Sequence, residues 1–526
     1  MPSISRTSLL LLLASLLTCG ALAMAPAASA SSGQLAIFED DAQMAQNPLA
    51  TAQTLRSLGA STVRLFVSWA QIAPDPNATR PPAHFVASNP NAYPAGSWST
   101  TDREVIAATQ EGLSVDLVLT SPVPRWAEGP RPPRGPLGRD VWRPNAADFG
   151  AFVKAVGTRY DGHFTPAGQS AALPPVRFWA VWNEPNYGYN LAPQGTDRGR
   201  VLIAPMYYRS LLDHAWGALR ASGHAGDTIL FGETAPHGDG IPAGNFNLVD
   251  PLTFLRALYC LGANDRPLRG GLARAEGCPT TVAGSRRFRA QNPPLFYASG
   301  FGAHLYAQSY THLVTPNHSL GPDPNYADLA DVGHLEALLD AANRAYGSHT
   351  RFAIYNTEYG FQTRPPQRNV VLSQAEAAYF MNWAEYISYR NPRIASYAQY
   401  LLRDAPSGQF ASGLEDANGA HKPGYDAYIL PLYMPTTSVS HPASLEVWGG
   451  VRPARYMPGH FAVAQLQFHS SAGGPWVPLR AITVHDTSGY FDIHQAFSRS
   501  GAIRLAWTDP LGGATIFSRS VAVSVR

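Results

Sequence analysis

The sequence predicts an α/β fold, a (β/α)8 TIM barrel followed by a small C-terminal β-sandwich. Between residues 34 and 435, short and continuous apolar runs alternate with longer helical patterns, which is typical of parallel strands covered on both faces. The alternation repeats eight times, as a closed barrel of eight units requires. From about residue 440 the pattern changes to short alternating segments separated by Gly, Ser and Pro, which favours an antiparallel sandwich.

The eight predicted strands are 35–40, 62–69, 114–122, 176–185, 228–236, 298–306, 352–361 and 394–404. The intervening stretches carry apolar residues at three- and four-residue spacing, and the last helix is expected near GYDAYILPLY. A doubly wound open sheet is the alternative, but it usually has fewer strands and a Gly-rich turn after the first strand. No such turn follows the first strand here, so the barrel is favoured.

The C-terminal segment, residues 440–526, is expected to form an immunoglobulin-like sandwich. Two roles remain open for it, bracing the barrel and binding carbohydrate. Its aromatic residues are scattered along the segment, and this favours bracing.

The N-terminus has the pattern of a secretory signal peptide over residues 1–30. Arg6 precedes the apolar run LLLLLASLL, and small residues precede a predicted cleavage after Ala30. Lipid attachment at Cys19 is the alternative, and Thr18 is a poor residue to precede a lipidated cysteine. We therefore expect an exported protein without a membrane span, in which Cys260 and Cys278 form one disulfide.

Composition and motifs exclude several classes of function. The formal net charge of +2 gives no basic surface for nucleic acid. Neither clustered Cys and His nor an HExxH pattern indicates a metal, and the glycine patterns of nucleotide sites and the GxSxG elbow of serine hydrolases are missing from the sequence. We expect no cofactor.

Two glutamates stand where barrel strands end, and such positions converge on one pocket. Glu184 ends the fourth predicted strand in WAVWNEPNYG, and Glu358 ends the seventh in IYNTEYGF. Two facing carboxyl groups can cleave a glycosidic bond, since one protonates the departing oxygen while the other attacks the anomeric carbon. A separation of about 5 Å would make the second carboxylate a nucleophile, with retention of configuration.

On these motifs the chain resembles the retaining glycoside hydrolases of the barrel clan that includes cellulase-like and β-xylosidase-like families. The resemblance covers about residues 35–432, and it depends on Asn183-Glu184-Pro185 on strand four together with Thr357-Glu358-Tyr359-Gly360 on strand seven. It implies that Glu184 is the acid/base, that Glu358 is the nucleophile and that Asn183 donates to the sugar hydroxyl beside the anomeric carbon.

Further strand-end residues are candidates for binding substrate. Arg64 and Tyr306 match clan positions next to the nucleophile, and His304 shares a strand face with Tyr306. The aromatic candidates for stacking on sugar rings are Trp69, Trp126 and Tyr400, although each is equally suited to packing. The chain has SYAQYLLRD where many clan members have a substrate-facing tryptophan, so Gln399 or Tyr400 is the expected substitute.

Three more acids end predicted strands. Glu39 and Asp40 follow strand one, where helix capping is the favoured role over sugar binding. Glu233 on strand five is a possible third site carboxylate, ranked below Glu184 because no matching motif surrounds it.

The leading hypothesis is therefore a secreted retaining glycoside hydrolase acting on poly- or oligosaccharides. A carbohydrate-binding barrel without catalysis and a transglycosylase with the same carboxylate pair are the alternatives, since a fold alone does not fix activity. Long loops after several strands favour a pocket that removes terminal sugars, while the sugar and its linkage are not specified by the sequence.

Overall fold

The computed structural model describes residues 30–133, 140–309, 312–510 and 513–526. Residues 1–29 of the predicted signal peptide, including Cys19, lie outside the described residues.

The N-terminal part is a closed barrel of eight parallel strands, as predicted. Its strands are β1 (Leu35–Glu39), β2 (Thr62–Ser68), β3 (Ser114–Thr120), β4 (Phe178–Val181), β5 (Thr228–Thr234), β6 (Gly300–Ala303), β7 (Ala353–Asn356) and β8 (Ile394–Tyr400). They pair in the order β1-β2-β3-β4-β5-β6-β7-β8, and β8 pairs with β1 to close the ring. All carboxyl ends therefore meet at one mouth of the barrel.

Helices cover the barrel from outside. They are α1 (Asp41–Gln46), α2 (Pro48–Ser57), α3 (Trp69–Ile72), α4 (Ser99–Gln110), α5 (Ala146–Arg159), α6 (Ala204–Ala221), α7 (Pro251–Leu258), α8 (Gly270–Ala275), α9 (Val282–Gln291), α10 (Pro294–Tyr297), α11 (Val332–Ala345), α12 (Gln374–Arg390) and α13 (Pro423–Ile429). Asp40 caps α1, because its carboxylate accepts a hydrogen bond from the Gln43 amide at 3.0 Å, as the sequence favoured. Ser373 and Glu376 form a reciprocal capping box at the start of α12.

Short 3-10 turns and a small hairpin complete the loops, and the last two turns belong to the C-terminal part. The turns are Pro90–Ala92, Arg125–Ala127, Asp197–Gly199, Arg452–Tyr456 and Pro458–His460, and the hairpin pairs Gly195–Thr196 with Val201–Leu202. A disulfide joins Cys260, after α7, to Cys278, as predicted. Every helix within the described ranges is too short or too polar to span a lipid bilayer.

The C-terminal part is a β-sandwich of two sheets. Its strands are β9 (Leu432–Tyr433), β10 (Ser438–Val439), β11 (Ala443–Gly450), β12 (Ala462–Ser470), β13 (Val477–Val484), β14 (Tyr490–Phe497), β15 (Gly501–Thr508), β16 (Thr515–Phe517) and β17 (Val521–Val525). One sheet has the order β9-β11-β14, and the other has β10-β17-β15-β12-β13 with β16 beside β15. Strand β9 belongs to the first of these two sheets, although it precedes residue 440, the predicted start of the sandwich.

Buried polar contacts join the sandwich to the barrel. Arg452 donates to both carboxylate oxygens of Glu385 on α12, at 2.7 and 2.8 Å, and to the carbonyl of Tyr428. The Tyr490 hydroxyl on β14 donates to the same Glu385 at 2.6 Å. Since Arg452 and Glu385 are almost completely buried, the sandwich and the barrel share one continuous interior.

Candidate active site

The two predicted catalytic glutamates meet at the barrel mouth, at one ring nitrogen of His304. His304 follows β6, and its Nδ1 lies 2.9 Å from Oε1 of Glu184 and 3.5 Å from Oε2 of Glu358. Because both carboxylates contact one nitrogen atom, these two oxygens can be no farther apart than the sum of the two distances. The Glu184 and Glu358 side chains are 20% and 14% exposed, so both are open to a ligand.

Glu358 is held by two donors. The Tyr306 hydroxyl donates to its Oε1 at 2.9 Å, and Nη1 of Arg64 donates to its Oε2 at 3.2 Å. Burial and the neighbouring Glu358 charge raise the pKa of Tyr306 well above its usual value, so this hydroxyl stays a donor.

Arg64, on β2, links the residues beneath the mouth. Its Nη1 bonds to Glu39, and its Nη2 bonds to Oδ1 of Asn183 at 2.9 Å and to Oε2 of Glu233 at 3.0 Å. Burial alone would disfavour the guanidinium charge, but the surrounding carboxylates, Glu39 foremost, raise the pKa of Arg64. A permanent cation therefore sits under the two catalytic candidates.

Glu233 occupies a more central position than the sequence suggested. It is completely buried at the end of β5, where it accepts from Thr357 Oγ1 at 2.8 Å and lies 3.4 Å from Nε2 of His304. Burial raises the pKa of Glu233, but hydrogen bonding from His304 and the charge of Arg64 outweigh it and hold the pKa below its usual value. A side chain at Gly302 of the neighbouring strand would place its Cβ 1.7 Å from Glu233 Oε1.

His304 is charged in this setting. Its burial disfavours the imidazolium, whereas the charge of Glu358 and the hydrogen bonds to Glu184 and Glu233 raise the pKa of His304 to about 10. The imidazolium therefore contacts the carboxyl groups of Glu184, Glu233 and Glu358 at neutral pH.

The backbone at the ends of β4 and β5 turns sharply to present these side chains. Trp182, Glu184 and Glu233 have φ of 73°, 42° and 49°, a region that residues other than glycine seldom adopt. The Glu184 amide donates to the carbonyl of Glu233 at 2.8 Å, which ties the two strand ends together. Such conformations persist where surrounding contacts enforce them, and they cluster at functional sites.

A cavity of about 530 Å³ opens beside Glu358 and Asn183. Three further acids line it: Glu39, Asp41 on α1 and Glu104 on α4. Burial raises the pKa of Asp41 to about 7 and that of Glu104 to about 8, so both side chains exchange protons near neutral pH. The sequence analysis missed Glu104, although it shares an apolar helix face with Val105 and Ala108.

Asp116 is a second acid that the sequence analysis missed. It lies on β3, is completely buried, and its Oδ2 is 4.0 Å from Nε of Arg64. Burial and the Glu233 charge raise the pKa of Asp116 to about 8, against the effect of Arg64. An aspartate within the apolar run SVDLVLT was the available signal.

The predicted aromatic residues take different positions. Tyr400 lines the cavity. Trp69 is only 1% exposed and stacks on Phe152, so its faces are closed to a ligand, and Trp126 packs edge-on against Trp69 and donates to the Pro74 carbonyl. The side-chain amide of Gln399 donates hydrogen bonds to three backbone carbonyls.

Within the described ranges, no group of three or more His, Cys, Asp or Glu side chains is arranged to hold a metal ion.

No protein-family model matches the sequence, and no curated protein matches it. Among solved structures, the chain is similar to a family 39 glycoside hydrolase from Bacteroides cellulosilyticus, with 13% identity, 89% of this chain and 80% of that chain covered, and a TM-score of 0.47. It is also similar to a β-glycosidase from Thermosphaera aggregans, with 14% identity, coverage of 73% and 84%, and a TM-score of 0.44. A family 51 α-L-arabinofuranosidase from Bifidobacterium longum gives 11% identity, coverage of 94% and 95%, and a TM-score of 0.42. These similarities are low, so a functional conclusion has to come from the geometry of the site.

Proposed function

We propose that the protein is a secreted retaining glycoside hydrolase that cleaves O-glycosidic bonds in poly- or oligosaccharides. The observation that carries this proposal is the contact of Glu184 and Glu358, from separate strands, with the same nitrogen of His304, beside the cavity that Glu358 lines. The sum of the two distances is an upper limit for this one pair of oxygens, and it admits the separation of about 5 to 5.5 Å at which retaining enzymes hold their carboxyl groups. At that separation the second carboxylate acts as the nucleophile.

Glu358 is the proposed nucleophile. Its carboxylate accepts hydrogen bonds from the Tyr306 hydroxyl and from the permanently charged Arg64. The two contacts also fix the orientation of the carboxylate beside the cavity, so attack requires little reorganisation.

Glu184 is the proposed acid/base. In the first step it gives its proton to the glycosidic oxygen while Glu358 bonds to the anomeric carbon and the alcohol leaves. In the second step the Glu184 carboxylate takes a proton from water, the water oxygen bonds to the anomeric carbon, and the bond to Glu358 breaks. Two inversions at one carbon give net retention.

Asn183 is the proposed donor to the hydroxyl beside the anomeric carbon. Arg64 donates to its side-chain carbonyl, which leaves the amide NH2 group for the sugar in the cavity that Asn183 lines.

Export agrees with the disulfide between Cys260 and Cys278, since such bonds persist in oxidising compartments.

The test is to replace each glutamate and assay aryl glycosides. We expect Glu184→Ala and Glu358→Ala to lose at least about a hundredfold in turnover, the scale of acid/base catalysis, while unfolding at the parental temperature. Azide should restore activity to Glu358→Ala and give a glycosyl azide of inverted configuration, because it attacks from the vacated face.

The control is Glu111→Ala, which removes a glutamate just beyond α4 and should keep parental activity. Parental activity in both site variants would refute the assignment. A wild-type protein that binds oligosaccharides without forming product would instead be a binding barrel.

A further inference from the structure

A second cleft, lined by aromatic rings, lies next to Glu184. Tyr187, Tyr189 and Phe246 form its wall, and its volume is about 550 Å³. The rings of Tyr187 and Tyr189 are 5.1 Å apart between centroids, and those of Tyr189 and Phe246 are 6.0 Å apart and inclined by 31°. Tyr189 is 46% exposed, so much of its ring is open to a ligand.

The cleft is built from two loops that are joined by backbone contacts. Tyr187, after β4, pairs in antiparallel fashion with Leu248 from the loop after β5, and the Gly188 amide donates to the Asn247 carbonyl at 3.0 Å. A Cβ on Gly188 would lie 2.2 Å from Cα of Phe246, so the two chains touch directly. The two loops that carry the aromatic rings are therefore held together by their backbones.

The position of the cleft relative to Glu184 indicates which part of a substrate it meets. The Tyr187 amide donates to the Glu184 carbonyl at 2.9 Å, one turn beyond the acid/base. Glu358 and Asn183 line the other cavity, where the sugar that is attacked has to sit. Since the acid protonates the oxygen of the leaving group, the leaving group extends toward the side of Glu184.

We propose that Tyr189 and Phe246 form a stacking site for a pyranose ring in the leaving group of the substrate. This inference rests on the proposed function, and it implies that the natural substrate is at least a disaccharide. An aromatic ring offers an apolar face to the C–H groups of a sugar, and Asp239 and Asn245 place polar groups on the rim for its hydroxyls.

The test compares substrates with and without a leaving sugar. Cellobiose, xylobiose and mannobiose are assayed beside β-glucosyl, β-xylosyl and β-mannosyl fluoride, whose leaving group is a single atom that cannot reach the cleft. We expect Tyr189→Ala and Phe246→Ala to lower the ratio of kcat/KM for disaccharide over fluoride by about 10- to 100-fold, the scale of losing a buried aromatic contact. Tyr297→Ala removes another exposed tyrosine, on α10 ahead of β6, and should keep the parental ratio.

A ratio unchanged in both variants would overturn the stacking site while leaving the hydrolase proposal intact. If the wild-type protein turns over none of these substrates, calorimetry with the same disaccharides on Glu184→Gln tests the stacking site separately from the hydrolase proposal. A Kd about tenfold weaker after adding Tyr189→Ala supports the stacking site independently of chemistry. Equal or undetectable binding refutes it.

Discussion

At the scale of residues, the site is organised by groups that do not themselves touch the cavity. Glu233 is buried beneath the catalytic candidates, yet it contacts Arg64, Thr357 and His304. His304 in turn contacts both proposed catalytic carboxylates. We therefore propose that Glu233 is a positioning residue, whose charge acts on the reaction through His304.

Replacing Glu233 tests this role. Glu233→Gln removes a negative charge that helps to raise the pKa of His304 to about 10. We expect His304 to lose its proton at lower pH, by at least about one unit, because a charge this close contributes more than that. The measurement is the pH titration of the His304 ring by NMR, together with a fall in kcat/KM.

The matched control is Asp116→Asn. Asp116 is likewise completely buried, but in the described structure its carboxylate is not within ion-pair distance of His304, as that of Glu233 is. It lies near Arg64, 4.0 Å from Nε, and should leave the His304 titration in place. Equal titrations in the parent and in Glu233→Gln would contradict the positioning role.

At the scale of elements, the strands were predictable and their ends were not. All eight barrel strands lie within the predicted ranges, but β4 is Phe178–Val181 where 176–185 was predicted, and β6 and β7 are similarly shorter. The missing residues are those that leave the sheet to form the site, such as Trp182 and Glu184 with positive φ. Apolar patterning reports burial, and Trp182 is buried at the mouth of the barrel although it lies outside the sheet.

The site could be predicted where a motif accompanied the residue. Glu184 and Glu358 stand in recognisable motifs at strand ends, whereas Glu233 lies near the end of β5 without such a motif. The position of Glu233 depends on contacts with residues of other strands. Its side chain also needs the space that Gly302 leaves on β6. Similarly, Trp69 ends a predicted strand as a sugar-stacking residue would, but helix α5 covers it with Phe149 and Phe152.

Helix α4 places Glu104 in the cavity, and this acid makes the free energy of unfolding depend on pH. Burial, followed by the Asp41 charge, raises the pKa of Glu104 from 4.5 to about 8. Between these values the folded chain binds a proton that the unfolded chain releases, so the free energy of unfolding falls as pH rises. We expect Glu104→Gln, which resembles the protonated acid, to have a Tm a few degrees above the parent at pH 8.5 and the same Tm at pH 4.5.

Thermal unfolding followed by circular dichroism at both pH values checks this expectation. Glu111→Gln is the control, because it removes one acid just past the same helix outside the cavity and should shift Tm equally at both pH values. A pH-independent effect of Glu104→Gln would show that the Glu104 side chain is not protonated in the folded protein.

At the scale of the whole molecule, the sandwich packs on the barrel through buried contacts, and bracing remains the role that we propose for it. Arg452 and Glu385 form an ion pair that is buried from both sides, with Tyr490 and the Tyr428 ring against it. Arg452→Ala leaves the Glu385 charge without its partner. We expect a loss of about 3 to 5 kcal/mol in the free energy of unfolding, measured by denaturant titration.

Arg390→Ala provides the comparison. Arg390 lies 3.6 Å from Asp492 of the sandwich but is 46% exposed, and such surface pairs contribute about 1 kcal/mol or less. Similar losses in the two variants would contradict a buried interface between barrel and sandwich.

The most direct test of the central claim is to trap the covalent intermediate. A dinitrophenyl 2-deoxy-2-fluoroglycoside of a sugar that the protein cleaves should form the glycosyl-enzyme quickly and release it slowly, because the fluorine destabilises the oxocarbenium-like transition state while the good leaving group speeds the first step. Digestion and mass spectrometry should then locate one fluorosugar on Glu358. A label on Glu184 or Glu233, or turnover of the parent glycoside with no label on any residue, would contradict the proposed chemistry.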